Sequence, residues 1–197
     1  MKKIIFATSN EGKMREIREI LKDLDIELFS LKDAGLDLEI EENGITFEEN
    51  AIIKAKYVME LTGEMVLADD SGLEVDYMDK APGVYSARFL GENTSYDIKN
   101  QYIIDQLMNA KEEERSARFV CVIAFALPNG EIITRRADIE GLIAKEITGA
   151  HGFGYDPIFF LSEYNCTTAQ LTSEQKNAIS HRGKALSAMK EEIKKHL

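Results

Sequence analysis

Apolar residues gather in KKIIFAT and then recur at helical spacing as Met14, Ile17, Ile20, Leu21 and Leu24, which predicts a buried strand, a short polar loop and an amphipathic helix. IELFSL reads as a second strand, and the acidic KDAGLDLEIEENG after it as a loop or edge segment. TFEENAIIKAKYVMEL opens on Thr46 and Glu49 in a T-x-x-E capping box and continues as a long helix. EMVLA and LEVDYM then predict two strands separated by a DDSG turn. APGVYSARFLGENTS is punctuated by Gly and Pro as a loop or short helix, YDIKNQYIIDQLMNA is helical, and KEEERS is a solvated linker. ARFVCVIAFAL and EIITRRADIEGLI flank PNG as a hairpin, HGFGYDPIFF is a Gly-rich aromatic loop entering a short strand, and residues 173–195 form one or two helices. Strands and helices that alternate early, followed by a late hairpin, predict an α/β protein with a mixed sheet.

A chain of 197 residues suits one domain, here expected over residues 1–197, and buries about 70% of its unfolded surface without a staple. Hydrophobic residues at 44% and charged residues at 30% are ordinary for a globular protein. FVCVIAFAL is the longest apolar run and is too short to span a bilayer, and MKKIIFA passes directly into polar TSNEGK, so neither a membrane span nor a signal peptide is expected. Cys121 and Cys166 lie far apart with no second pair, which argues against a disulfide framework or a four-ligand zinc site and fits a reducing cytoplasm. The net charge of −11 disfavours a protein that tracks nucleic-acid phosphates, so any polyanionic ligand would need a local basic cluster or a metal.

Five stretches carry the chemistry. In FATSNEGKMRE a helix N-terminus, the side chains of Thr8, Ser9 and Asn10, and Lys13 in the first turn suit a phosphate, while a plain cap by Ser9 or Asn10 explains the same residues; the spacing is not that of a Walker loop. In ADDSG, one of Asp69 and Asp70 is expected to brace the turn and the other to face a site, because successive strand side chains point opposite ways; an ordinary Asx-turn and a carboxylate pair for Mg²⁺ both remain open. Glu41 and Glu42 precede a helix on which Asn50 and Lys54 share a face; Glu42, Glu48 and Glu49 are expected to be solvated, and spacing alone does not decide Lys54. HGFGYDP offers aromatic faces at Phe153 and Tyr155 and a carboxylate at Asp156, whereas EQKNAISHRGKA brings donors at Lys176, His181 and Arg182 within about two helical turns. A packed loop and a basic last helix are the plainer readings of these two.

Taken in order, TSNEGKMRE, TFEENAIIKAK, ADDSGLEVD, APGVYSARF, HGFGYDPIF and LTSEQKNAISHRGKA closely resemble the inosine triphosphate pyrophosphatase family, the XTP/dITP diphosphatases, over nearly the whole chain. The resemblance implies an elongated two-lobed α/β fold with a long central mixed sheet and a cleft between lobes. It also implies Mg²⁺-dependent hydrolysis of ITP, dITP and XTP to the monophosphate and pyrophosphate, and a homodimer. Carried over position by position, Thr8, Ser9, Asn10, Glu11, Gly12 and Lys13 correspond to the triphosphate loop, and Asp70 to the general base and a metal ligand. Glu41 corresponds to the other metal carboxylate and Lys54 to a phosphate contact. Ser71, Phe153, Gly154, Tyr155, Asp156, Lys176, His181 and Arg182 correspond to substrate and base contacts, with Arg182 and His181 satisfying a 6-oxo group. His151, Gln170 and Gln175 depart from the family's usual residues without touching a catalytic position. A Maf-like pyrophosphatase and a non-catalytic nucleotide sensor are the competing readings.

Overall fold

The computed structural model describes residues 2–197. The predicted periodicities produce β1 (Lys2–Phe6), α1 (Glu11–Leu21), β2 (Ile26–Ser30), α2 (Phe47–Thr62), β3 (Met65–Val75), α3 (Tyr96–Gln106), β4 (Ser116–Ala126), β5 (Ile132–Ile143), β6 (Phe159–Leu161), β7 (Cys166–Thr167), α4 (Ser173–Ile179) and α5 (His181–Lys194). All seven strands join one sheet in the order β2-β1-β3-β4-β5-β6-β7. β1 is parallel to β2 and β3, whereas β6 is antiparallel to β5 and β7, so the sheet is mixed as the alternation predicts. Among the described residues no helix is long and apolar enough to cross a membrane.

The chain divides into two compact units built from separated segments. One comprises Met1–Asp70, Cys121–Ala137 and His181–Leu197, the other Ser71–Val120 and Asp138–Ser180. In the first unit, Met14, Ile17 and Leu21 of α1 share a core with Leu186, Met189 and Ile193 of α5 and with strand residues including Phe6, Leu67 and Phe125. Burial of each such side chain is worth about 1.5–3 kcal/mol, so both helices are fixed by their apolar stripes. In the second unit Leu73, Ile103, Leu107, Phe119, Ile158 and Phe159 belong to a separate core, with the Phe119 and Phe159 ring centroids 4.3 Å apart. Gly141 is needed there because a Cβ would lie 2.7 Å from the Phe159 ring and the Phe160 carbonyl.

Three expectations change. DDSG is not a turn: β3 runs unbroken from Met65 to Val75, because the ion pairs on its two faces remove the need for the polar pair to leave the strand. KEEERS is not wholly solvated. Arg115 is buried, and its Nε, Nη1 and Nη2 donate to the carbonyls of Ile143 (2.7 Å), Leu107 (2.7 Å) and Ala144 (2.8 Å), which ties the end of α3 to the end of β5 within the second unit. The capping box of α2 is shifted: Thr46 Oγ1 accepts from the Glu49 N–H as expected, but the Glu49 carboxylate accepts from the N–H of Ile45 rather than Thr46.

Candidate active site

The first unit gathers an ionised cluster at the C-terminal end of β1 and the first half of β3. After β1 the chain turns through residues 7–10 into α1. Asn10 caps that helix by accepting from the Lys13 N–H at 3.1 Å, and Thr8 Oγ1 accepts from the Asn10 N–H at 3.1 Å. The plain-cap reading is therefore realised by Asn10, not Ser9. The cap leaves the N–H groups of Glu11 and Gly12 in the first turn without intrahelical acceptors, as at any helix N-terminus, so capping and anion binding are compatible here.

Asp69 and Asp70 lie on opposite faces of β3, as strand geometry requires. Asp69 is 1% exposed and pairs with Lys13 Nζ at 2.9 Å and Arg182 Nη2 at 3.4 Å. Burial alone would raise its pKa, but the charges of Lys13 and Arg182 outweigh it and hold the carboxyl well below the usual range. The Arg182 guanidinium, at the start of α5, also pairs with Glu16 of α1. Asp69 therefore holds Lys13 at the head of α1 and joins it electrostatically to α5.

On the other face Asp70 meets α2. Asn50 Nδ2 donates to Asp70 Oδ2 at 3.2 Å, and Lys54 Nζ stands 3.6 Å from Asp70 Oδ1 and 3.0 Å from Glu42 Oε2. Burial pushes the Asp70 carboxyl up to about 6; Lys54 opposes that rise, and the negative charges of Glu42 and Asp69 reinforce it. Lys54 is also buried, yet Asp70, Asp69 and Glu42 outweigh the desolvation and raise its pKa. Spacing left Lys54 undecided; the fold places it in this cluster. Glu42 was expected on a solvated face and is instead drawn in by Lys54, whereas Glu41 beside it is exposed.

The second unit builds the Gly-aromatic loop. Asp156, 2% exposed, accepts from the Phe153 N–H (2.8 Å) and Lys176 Nζ (2.6 Å) at Oδ2 and from Thr168 Oγ1 (2.9 Å) at Oδ1. Gly152 is required because a Cβ would fall 2.2 Å from that carboxylate. Lys176 Nζ also lies 4.8 Å from the centroid of the Phe153 ring. Tyr155 Oη donates to the Ser86 carbonyl at 2.7 Å, and the Tyr96 ring meets Tyr155 edge-on at 5.2 Å. Ser71 opens this unit within β3 and is half-buried.

These contacts sharpen two roles. Asp156, expected among the substrate and base contacts, also braces the loop through the Phe153 N–H, Thr168 and Lys176. Arg182, expected to meet a 6-oxo group, is held in place by Glu16 and Asp69; His181 beside it is buried. Sequence reading missed Glu16, Thr168 and Asn100. Asn100 had a signal: it is a polar residue in the Asn100, Ile103, Ile104, Leu107 stripe of α3, where helical spacing predicts burial.

The mixed sheet, with cations and carboxylates clustered where β1 meets α1 and a rigid aromatic loop in the second unit, defines an α/β enzyme. The chain belongs to the Ham1 family, whose pattern its residues 4–192 match. It is 48% identical to a dITP/XTP pyrophosphatase of Clostridium perfringens over 98% of each chain, and 46% identical to one of Bacillus subtilis over 94% of each. Its structure is similar to a HAM1 protein from Coxiella burnetii (TM-score 0.89, 41% identity, 99% and 100% of the two chains). It is equally similar to the Ham1 protein of Staphylococcus aureus (TM-score 0.89, 38% identity, 100% of each).

Proposed function

We propose that the chain hydrolyses deaminated purine nucleoside triphosphates, ITP, dITP and XTP, to the monophosphate and pyrophosphate, clearing them from the nucleotide pool. The observation that carries this reading is Asp70, a buried carboxylate pushed up to about 6 between Lys54 and Asn50, in a chain whose relatives are named for that activity. A base with a pKa near working pH is suited to take a proton from water. Lys13, Lys54 and the head of α1 neutralise the triphosphate, so a chain of net charge −11 can hold a polyanion; Thr8, Ser9 and Asn10 add donors beside them.

A divalent metal fits the donor set, and Mg²⁺ is the ion proposed. Burial raises the pKa of the Asp70 carboxyl and the negative charges of Glu42 and Asp69 add to that rise, so a cation beside it would favour the ionised form. Among the described residues no three acidic, His or Cys side chains form a ready cage, and Mg²⁺ is commonly held by one or two carboxylates plus substrate phosphates. Asp70 and Glu41 would hold it, Glu42 being committed to Lys54. Bound there, it would supply charge neutralisation on the phosphates.

Phe153 offers a face on which a base stacks, with Tyr155 and Gly154 beside it and His181 proposed as a donor to a 6-oxo oxygen. Adenine, with a 6-amino donor, would leave such donors unpaired, which can cost roughly 10⁴-fold in a hydrogen-bonding site. Residues 1–197 are proposed to act as one functional domain, as a homodimer, in the cytoplasm and without nucleic-acid partners; two unpaired cysteines and the acidic balance support the last two. The test is to incubate the purified protein with dITP, XTP, dGTP and dATP in Mg²⁺ and to quantify pyrophosphate and orthophosphate separately. Pyrophosphate from dITP and XTP alone supports the reading; orthophosphate, or no turnover, removes it.

A further inference from the structure

Within the second unit, α3 supports the Gly-aromatic loop through a contact that no motif indicated. Asn100 is 1% exposed, and its Nδ2 donates to the Gly154 carbonyl at 3.1 Å. Its Oδ1 is buried with no hydrogen-bond partner. A buried, unmet acceptor costs about 1–3 kcal/mol, and native proteins keep few of them without a function. The orientation is nevertheless dictated: flipping the amide would set Oδ1 against the Gly154 carbonyl oxygen.

Holding that carbonyl fixes a peptide plane. The Gly154–Tyr155 bond is trans, since the one cis bond among the described residues is Ala81-Pro82, so its N–H points opposite to its C=O and therefore away from α3. Among the described residues the Tyr155 N–H meets no protein acceptor. Gly154 itself sits at φ +68, and Tyr155 is anchored at its far end by the Ser86 carbonyl and along its ring by Tyr96. The result is a rigid backbone donor presented on the side of the loop away from the helix.

We propose that Asn100 is a positioning residue for base selection: by holding the Gly154 carbonyl it aims the Tyr155 N–H at the 6-oxo oxygen of a deaminated purine. This rests on the activity proposed above. A backbone donor suits a carbonyl oxygen and rejects an amino group, and no substitution on the loop short of proline at position 155 removes it. The unmet Oδ1 is the cost of keeping that peptide turned.

The test compares wild type, Asn100→Leu and Asn100→Asp for kcat and KM on dITP and dATP, with thermal melts alongside. Leu removes the unmet Oδ1 but leaves the Gly154 carbonyl without its donor, so the variant is expected to melt close to the wild-type temperature. Its KM for dITP should rise about five- to tenfold and its preference for dITP over dATP should fall by a similar factor, with kcat within about twofold. Asp sets an oxygen against the Gly154 carbonyl and is expected to lose at least as much. A folded Asn100→Leu with unchanged KM and preference overturns the proposal, as does a loss confined to kcat; should Leu fail to fold, the same split in Asn100→Asp decides. Wild type inactive on dITP would overturn the activity itself, a different result from an active wild type with an indifferent Asn100.

Discussion

Asn50 and Asp70 are joined by a 3.2 Å hydrogen bond from Nδ2 to Oδ2, and the same amide accepts the Gly44 N–H at Oδ1 over 2.8 Å. One fully buried side chain of α2 thus orients the proposed base and ties down the acidic loop that carries Glu41 and Glu42. Gly44 is glycine because a Cβ there would lie 2.6 Å from Asn50 Oδ1.

Replacing Asn50 by Ala should leave the fold intact at a cost of about 1–3 kcal/mol while lowering kcat by about tenfold or more through loss of orientation. Steady-state kinetics beside a thermal melt measure both. Full activity in a folded Asn50→Ala would show that Asp70 needs no such support.

Asp70→Asn should abolish turnover and stabilise the metal-free protein at pH 7. The Asp70 carboxyl is raised from 3.8 to about 6, so the folded state binds the proton more tightly than the unfolded one. That contribution is fully present below about pH 4 and lost as pH rises through 6. Two pKa units correspond to roughly 3 kcal/mol. Denaturant titrations of metal-free wild type and variant should coincide near pH 4 and separate by pH 7, in favour of Asn. Equal stability at both pH values would contradict the burial argument.

Asp69→Asn should behave in the opposite sense. Its pKa is held low by Lys13 and Arg182 against the effect of burial, so its stabilisation is present above about pH 4 and disappears as pH falls. Removing it strands buried cations, at about 3 kcal/mol or more at neutral pH. A variant as stable as wild type at pH 7 would show that Glu16 alone satisfies Arg182.

Glu41→Gln should raise the Mg²⁺ concentration needed for half-maximal activity, while Glu42→Gln should leave that requirement nearly unchanged and weaken substrate binding through Lys54. Metal titrations of the two variants separate the roles. The reverse pattern would move the metal to Glu42.

Much of this was legible because it rests on short-range rules. α1, α2 and the last two helices follow from periodicity and caps, and β4 from an unbroken apolar run. The DDSG segment misled because its local chemistry favours a turn; what keeps it in β3 are Lys13, Arg182 and Lys54, distant in the chain. Glu42 and Arg115 looked solvated for the same reason, since a charge beside other charges reads as surface until its partners are placed. Asp156 and Arg182 are assigned to ligand by residue type, and sequence spacing does not report their protein partners, Thr168 and Lys176 for one and Glu16 and Asp69 for the other. No spacing rule reports a hydrogen bond between Asn100 and a carbonyl 54 positions away.

The pairing of β3 with β1, in which Phe6 stands opposite Leu67, decides which aspartate faces which helix. Two chemically identical neighbours receive opposite tasks from nothing more than odd and even position along a ribbon. A slip of one residue, or a single deletion between Leu67 and Asp69, would exchange them, giving the structural ion pair to Asp70 and the place of the proposed base to Asp69. Parity along β3 is thus an inherited constraint on this enzyme: a substitution there alters one side chain, whereas a change of length reassigns every side chain beyond it.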